Sequence, residues 1–140
     1  MNRYLGLHTL EGELHALLPR YLFVADLLKG KTVLDVGCGT GVGASLLAEM
    51  GVNKVEAIDH RPYVVDIAKD KHDTEGVTYH EMFWEALEFD DDYFDAVLCL
   101  NPDSPITDLN FLGEVRRVLK PNGQYIATVL RRQLTEMEDI

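Results

Sequence analysis

The segment Asp35-Val36-Gly37-Cys38-Gly39-Thr40-Gly41-Val42-Gly43 sets a carboxylate two residues ahead of alternating glycines. Glycines so spaced permit a tight turn and let a ligand approach the backbone, with no Cβ in the way. Gly39 to Ala44 even satisfies the looser dinucleotide pattern G-x-G-x-x-G/A. Asp35, however, would lie close to a bound pyrophosphate. A carboxylate there opposes a dianion and suits a ligand that carries an ammonium and a sulfonium. No Gly-Lys-Ser/Thr follows, so the Walker pattern is absent. The bland alternative is that Asp35 only caps the turn or the helix after it. The second chemically suggestive residue is Asp59, 18 residues past Gly41. An acidic residue about 20 residues after a glycine loop accepts hydrogen bonds from a ribose diol. Asp59 could also serve as the N-cap of the next helix.

These residues need elements to hold them. Leu10, Leu14, Leu17, Leu18, Tyr21, Leu22, Ala25 and Leu28 recur at helical spacing, which predicts a helix over 10–28, kinked or split at Pro19 and ended by Gly30. Lys31 to Val36 reads as a buried central strand, and Ala44 to Met50 as a helix stopped by Gly51. Val55 to Ile58 is a second strand, and Pro62 opens a helix that runs to about Lys71. Val77 to Tyr79 and Phe94 to Leu100 are further strands. Ile106 to Leu119 is helical, Pro121-Asn122-Gly123 is a turn, and Gln124 to Leu130 is a fifth strand. Alternating strands and helices predict an α/β fold, Rossmann-like, with a mostly parallel sheet and helices on both faces. Ligands of such sheets sit beyond the carboxyl ends of the strands, where strand order reverses. One domain is expected over 1–140: a helical lead-in over 1–30, a core over 31–130, and the start of a helix over 131–140.

The formal net charge is -11, and the 13 Lys and Arg residues are scattered, so a nucleic-acid partner is not expected. Acidic residues crowd between Glu81 and Asp95, either as a solvated surface loop or as a cation site. The two cysteines, Cys38 and Cys99, fit no metal spacing, and no metal is expected. No apolar run approaches the roughly 20 residues of a membrane span, and Met1 to His8 has no apolar signal core. A cytoplasmic protein without membrane contact is expected.

Val33 to Gly41 resembles the first motif of class I S-adenosylmethionine-dependent methyltransferases, and Ala57-Ile58-Asp59 their second. Phe89 to Val97 is similar to the approach to their fourth strand, and Leu119 to Gln124 to the turn into their fifth. His15 to Tyr21 resembles a lead-in helix of some small-molecule members. The resemblance spans about 28–130 and implies methyl transfer from S-adenosylmethionine to a small-molecule acceptor. It further implies that Asp35, Gly37 and Gly39, with Cys38 between them in the bend, hold the methionine part. Asp59 would bind the ribose hydroxyls, and His60 would lie beside the adenine.

Two positions depart from that family. Where an adenine-binding Asp is common stands Phe83; Phe83 or Trp84 either packs on the adenine ring or belongs to the core. Asn101-Pro102-Asp103 partly resembles the motif of amino-group methyltransferases acting on nucleic acid, but Asp103-Ser104 breaks it. It is either a plain turn or a place where Asn101 meets the cofactor. Candidate bases near suitable strand ends are His80, Glu81 and Asp103. Family members continue past the fifth strand with a helix and two antiparallel strands. Arg131 to Ile140 resembles only the start of that helix, so a fold lacking the last two strands is expected, either because the chain is truncated or as a minimal domain completed by a partner or a second copy. Two other classes fit the motifs: a nicotinamide-dependent oxidoreductase, and a methyltransferase-like domain that binds a nucleoside or partner without catalysis.

Overall fold

The computed structural model describes residues 7–101 and 106–129, with side chains from residue 17 onward. The order is α1 (Leu7–Leu27), β1 (Thr32–Val36), α2 (Val42–Glu49), β2 (Lys54–Asp59), α3 (Pro62–Lys71), β3 (Val77–Glu81), β4 (Phe94–Cys99), α4 (Leu109–Val118) and β5 (Leu119–Ala127). The strands form one sheet in the order β3-β2-β1-β4-β5, and every pairing is parallel. Strand order therefore reverses between β1 and β4, which puts the crevice above the carboxyl end of β1. The expected Rossmann-like sheet is present, and no sixth or seventh strand occurs among the described residues. The run Arg131 to Ile140 lies outside them.

Two apolar layers sandwich the sheet. Tyr21, Val24, Ala25 and Leu28 from the α1 end of the chain join Ala44, Leu47, Val65 and Ala68 on one face. Phe111, Val115 and Val118 of α4 join Leu34, Ile58, Phe94 and Val97 on the other. The central strands are buried on both faces, so they read as continuous apolar runs rather than alternating ones.

Most element ends shift by one to three residues from the sequence expectation, and three differences have a distinct physical cause. Helix α1 is not split: it passes through Pro19 as one element. Pro19 is exposed, while the opposite face of the helix is fixed by burial of Tyr21, Val24 and Ala25. Helix α4 starts at Leu109 rather than Ile106, because the Asp108 carboxylate accepts from the Phe111 N–H at 2.9 Å and caps it there. Strand β5 begins at Leu119, pairs there with Phe94, and resumes at Gln124 opposite Ala96. The intervening Pro121-Asn122-Gly123 turn bulges out, with Asn122 left-handed at φ 70°.

Candidate functional site

The bend after β1 grows directly from strand pairing. Past the Val36–Ile58 register pair, the Gly37 and Cys38 N–H groups both donate to the Ile58 carbonyl at 2.9 Å. Gly37, Gly39 and Gly41 then take φ of 77°, 57° and 91°, which L side chains rarely adopt. At Gly39 a Cβ would meet nothing within 4 Å, so the bend presents bare backbone to open space. At Gly41 the opposite holds: a Cβ would press on the Tyr79 ring, whose hydroxyl donates to the Gly41 carbonyl at 3.2 Å and to the His72 carbonyl at 2.9 Å. His72 Nδ1 lies 2.8 Å from the Thr40 carbonyl. Strand β3 and the end of α3 thus brace the underside of the bend. The N-cap of helix α2 is Gly41, with no side-chain cap bond, so Asp35 does not cap it.

Asp35 lies beneath the bend with no exposed surface. The Tyr21 hydroxyl lies 3.0 Å from each of its carboxylate oxygens. Tyr21 reaches it because Gly43 has no Cβ; one there would overlap the tyrosine ring. Burial pushes the Asp35 carboxyl up to about 7; the Tyr21 bond opposes this and the Asp59 charge adds to it. Burial likewise raises the Tyr21 hydroxyl well above its ordinary range. Cys38 is buried, its thiol raised chiefly by burial, and its Sγ faces the Gly39 carbonyl at 3.6 Å.

Asp59 closes the other side. Its carboxylate accepts from the Gly39 N–H at 3.0 Å, which ties the end of β2 to the glycine bend. It also accepts from the Arg61 N–H at 3.1 Å, from Arg61 Nε at 2.9 Å and from Arg61 Nη2 at 3.1 Å. Burial alone would raise this carboxyl, but the Arg61 bonds and charge and the Gly39 N–H hold it below the usual range. The N-cap of α3 is Arg61, not Asp59.

Beside Asp59, His60 stacks on Phe83 with ring centroids 5.8 Å apart and meets Trp84 edge-on at 5.2 Å. Phe83 is exposed, whereas Trp84 packs onto the α4-side core. Trp84 thus matches the core reading, and Phe83 is not a core residue. The two candidate bases among the described residues, His80 and Glu81, do not converge. His80 Nε2 sits 3.2 Å from Glu56 and its ring abuts Phe89 edge-on, on the α4 face. Glu81 is exposed at the end of β3, in register with Asp59. Asn101 is half-buried just beyond β4, and Asp103 lies outside the described residues.

The acidic segment is structural where its partners can be seen. Arg117 of α4 donates to the Phe89 carbonyl at 2.8 Å, the Leu87 carbonyl at 2.7 Å and Asp91 at 2.8 Å, and is held by Glu114. Asp95 accepts from the Thr32 N–H at 2.8 Å. No metal-ligating cluster occurs among the described residues.

Sequence reasoning missed Tyr21 as a site residue, along with Arg61 and Tyr79. Only Tyr21 left a trace, as a polar-tipped aromatic within an apolar helical stripe facing a glycine.

Residues 33–123 match the methyltransferase domain family. The chain is 36% identical over 118 residues to a protein of Mycobacterium ulcerans described as a phthiotriol/phenolphthiotriol dimycocerosates methyltransferase, covering 80% of this chain and 44% of that one. It is 32% identical over 120 residues to a ubiquinone biosynthesis O-methyltransferase of Methylocella silvestris, covering 84% and 46%. A crystal structure from Listeria monocytogenes, described as an S-adenosylmethionine-dependent methyltransferase, superposes with a TM-score of 0.66 at 28% identity, over 78% of this chain and 54% of that one. The chain thus spans about half the length of these relatives. The chain belongs to the methyltransferase domain family, and its cofactor is S-adenosylmethionine.

Proposed function

We propose that the protein transfers a methyl group from S-adenosylmethionine to an apolar small-molecule acceptor. The observation that carries this is the pairing of Asp35 and Asp59 around the Gly37–Gly41 bend, locked by the 3.0 Å bond from the Gly39 N–H to Asp59. The cofactor supplies a methyl group already activated on a sulfonium, so the protein has to provide alignment more than acid–base chemistry. Asp35, with Gly37, Cys38 and Gly39 around it, takes the methionine end, and its ionised form answers the ammonium. Asp59 takes the ribose hydroxyls, and His60 with the exposed face of Phe83 flanks the adenine, with Trp84 behind. Asn101, just past β4, faces the reacting end. Of the candidate bases, Glu81 stands at the rim, and His80 is engaged by Glu56 instead.

An apolar groove supports the acceptor class. It measures about 600 Å³ and runs between α1 and β5, lined by Phe23, Val24, Leu27, Leu100, Ile126 and Ala127. Its Leu100 and Ala127 end lies at the carboxyl ends of β4 and β5, beside the crevice. The two relatives are named for methylation of phthiotriol/phenolphthiotriol dimycocerosates and for ubiquinone biosynthesis. No helix among the described residues is long and apolar enough to cross a membrane. Residues 1–140 form one domain in this reading, cytoplasmic and acting on small molecules rather than nucleic acid, with the β5 edge, unpaired among the described residues, as the place for a partner or a second copy.

The test is transfer of tritiated methyl from labelled S-adenosylmethionine into a solvent-extractable product of a lipid extract. Transfer that disappears on Asp59→Ala supports the reading. An absence of transfer despite tight cofactor binding would favour the non-catalytic alternative.

A further inference from the structure

Arg61 occupies a position whose local role it does not perform. It is the N-cap of α3, where Ser, Thr, Asp or Asn would satisfy the first turn, and it makes no side-chain cap bond. Its guanidinium turns back onto Asp59 instead and places Nε on one carboxylate oxygen and Nη2 on the other, at 2.9 and 3.1 Å. With the Gly39 and Arg61 N–H groups, Asp59 accepts four hydrogen bonds, about as many as a carboxylate has lone-pair sites. Asp59 is almost wholly buried, while the Arg61 side chain is 41% exposed. The carboxylate is fixed, and the guanidinium is the partner free to leave.

We propose that Arg61 is a built-in competitor for the ribose site, which a ligand displaces by bringing two vicinal hydroxyls. This rests on Asp59 being the ribose ligand. The exchange is stoichiometric: two N–H···O bonds from a fork give way to two O–H···O bonds from a diol, and the two backbone N–H bonds stay. A nucleoside with one hydroxyl replaces only half of the fork and leaves one guanidinium bond unmatched. Arg61 therefore lowers affinity for every nucleoside that displaces it, by an amount that is the same for ribose and 2′-deoxyribose ligands because each opens the same fork. The released guanidinium stays within reach of Tyr63, which already interacts with it.

The experiment is calorimetric titration of the native chain, Arg61→Ser and Arg61→Lys with S-adenosylhomocysteine and with its 2′-deoxy analogue. Arg61→Ser removes the fork and supplies a capping hydroxyl, so helix α3 keeps its start. Arg61→Lys keeps the charge and loses the bidentate geometry. The expected result is that Arg61→Ser binds S-adenosylhomocysteine about three- to tenfold more tightly than the native chain, with Arg61→Lys between them. Each of the three proteins should keep the same preference for the ribose over the 2′-deoxyribose form, because the fork opens for both ligands. Equal or weaker binding by Arg61→Ser overturns the proposal and leaves the cofactor assignment standing. Failure of all three proteins to bind S-adenosylhomocysteine overturns both.

Discussion

Tyr21 and Asp35 form a buried pair in which neither partner can turn to water. Tyr21→Phe keeps the ring against Gly43 and deletes only the bonds to the carboxylate. The expected cost is about 1–3 kcal/mol of folding stability, read from urea unfolding at neutral pH. The pH dependence has a definite sign. In the fold the Asp35 carboxyl sits at about 7, above the value near 3.9 of an unfolded chain. The protonated form is therefore favoured by folding. This group's contribution is fully present below about pH 4 and is lost as pH rises through about 7. The stability difference between the native chain and Asp35→Asn should accordingly change across that window and flatten outside it. Cofactor affinity should run the other way, because an ammonium prefers ionised Asp35. Binding of S-adenosylhomocysteine should weaken between about pH 8 and pH 6 in the native chain and stay level in Asp35→Asn.

At the scale of elements, the loop over 82–93 has no regular structure of its own. Its order comes from Arg117 on α4, which holds two loop carbonyls and Asp91. Arg117→Ala should cost about 1–2 kcal/mol in urea unfolding and speed amide exchange through the loop, including Phe83 and Trp84. Asp91→Ala removes a side chain that is 73% exposed and should change stability little. The strands and α3 were legible because buried β-branched runs and Pro62 are local signals. So was the Asp35 to Gly43 bend, since the glycines report directly on backbone conformation. The α4 start was misjudged because a cap depends on one carboxylate–amide bond, not on periodicity. The continuity of α1 through Pro19 depends on burial of its inner face, which spacing alone does not weigh. Tyr21 and Arg61 went unseen as site residues for a related reason. One acts across a helix–sheet contact, and the other by turning a side chain backward against its own helix.

As a whole molecule, the chain carries a net charge of -11 and aims two of its carboxylates at one bend. That field supports the proposed cationic nucleoside and opposes a polyanionic partner. The open flank of the sheet is apolar rather than acidic: Phe23 and Leu27 of α1 are 72% and 55% exposed beside the β5 groove. Phe23→Asp should leave cofactor binding intact and raise KM for the acceptor at least tenfold, as measured by methyl transfer. The most direct test of the central claim is a calorimetric titration of the native chain with S-adenosylhomocysteine, repeated on Asp59→Ala. Saturable one-site binding that Asp59→Ala weakens by at least tenfold is the expected result. An Asp59→Ala protein that binds as tightly as the native chain, or a native chain that gives no binding heat, would contradict it.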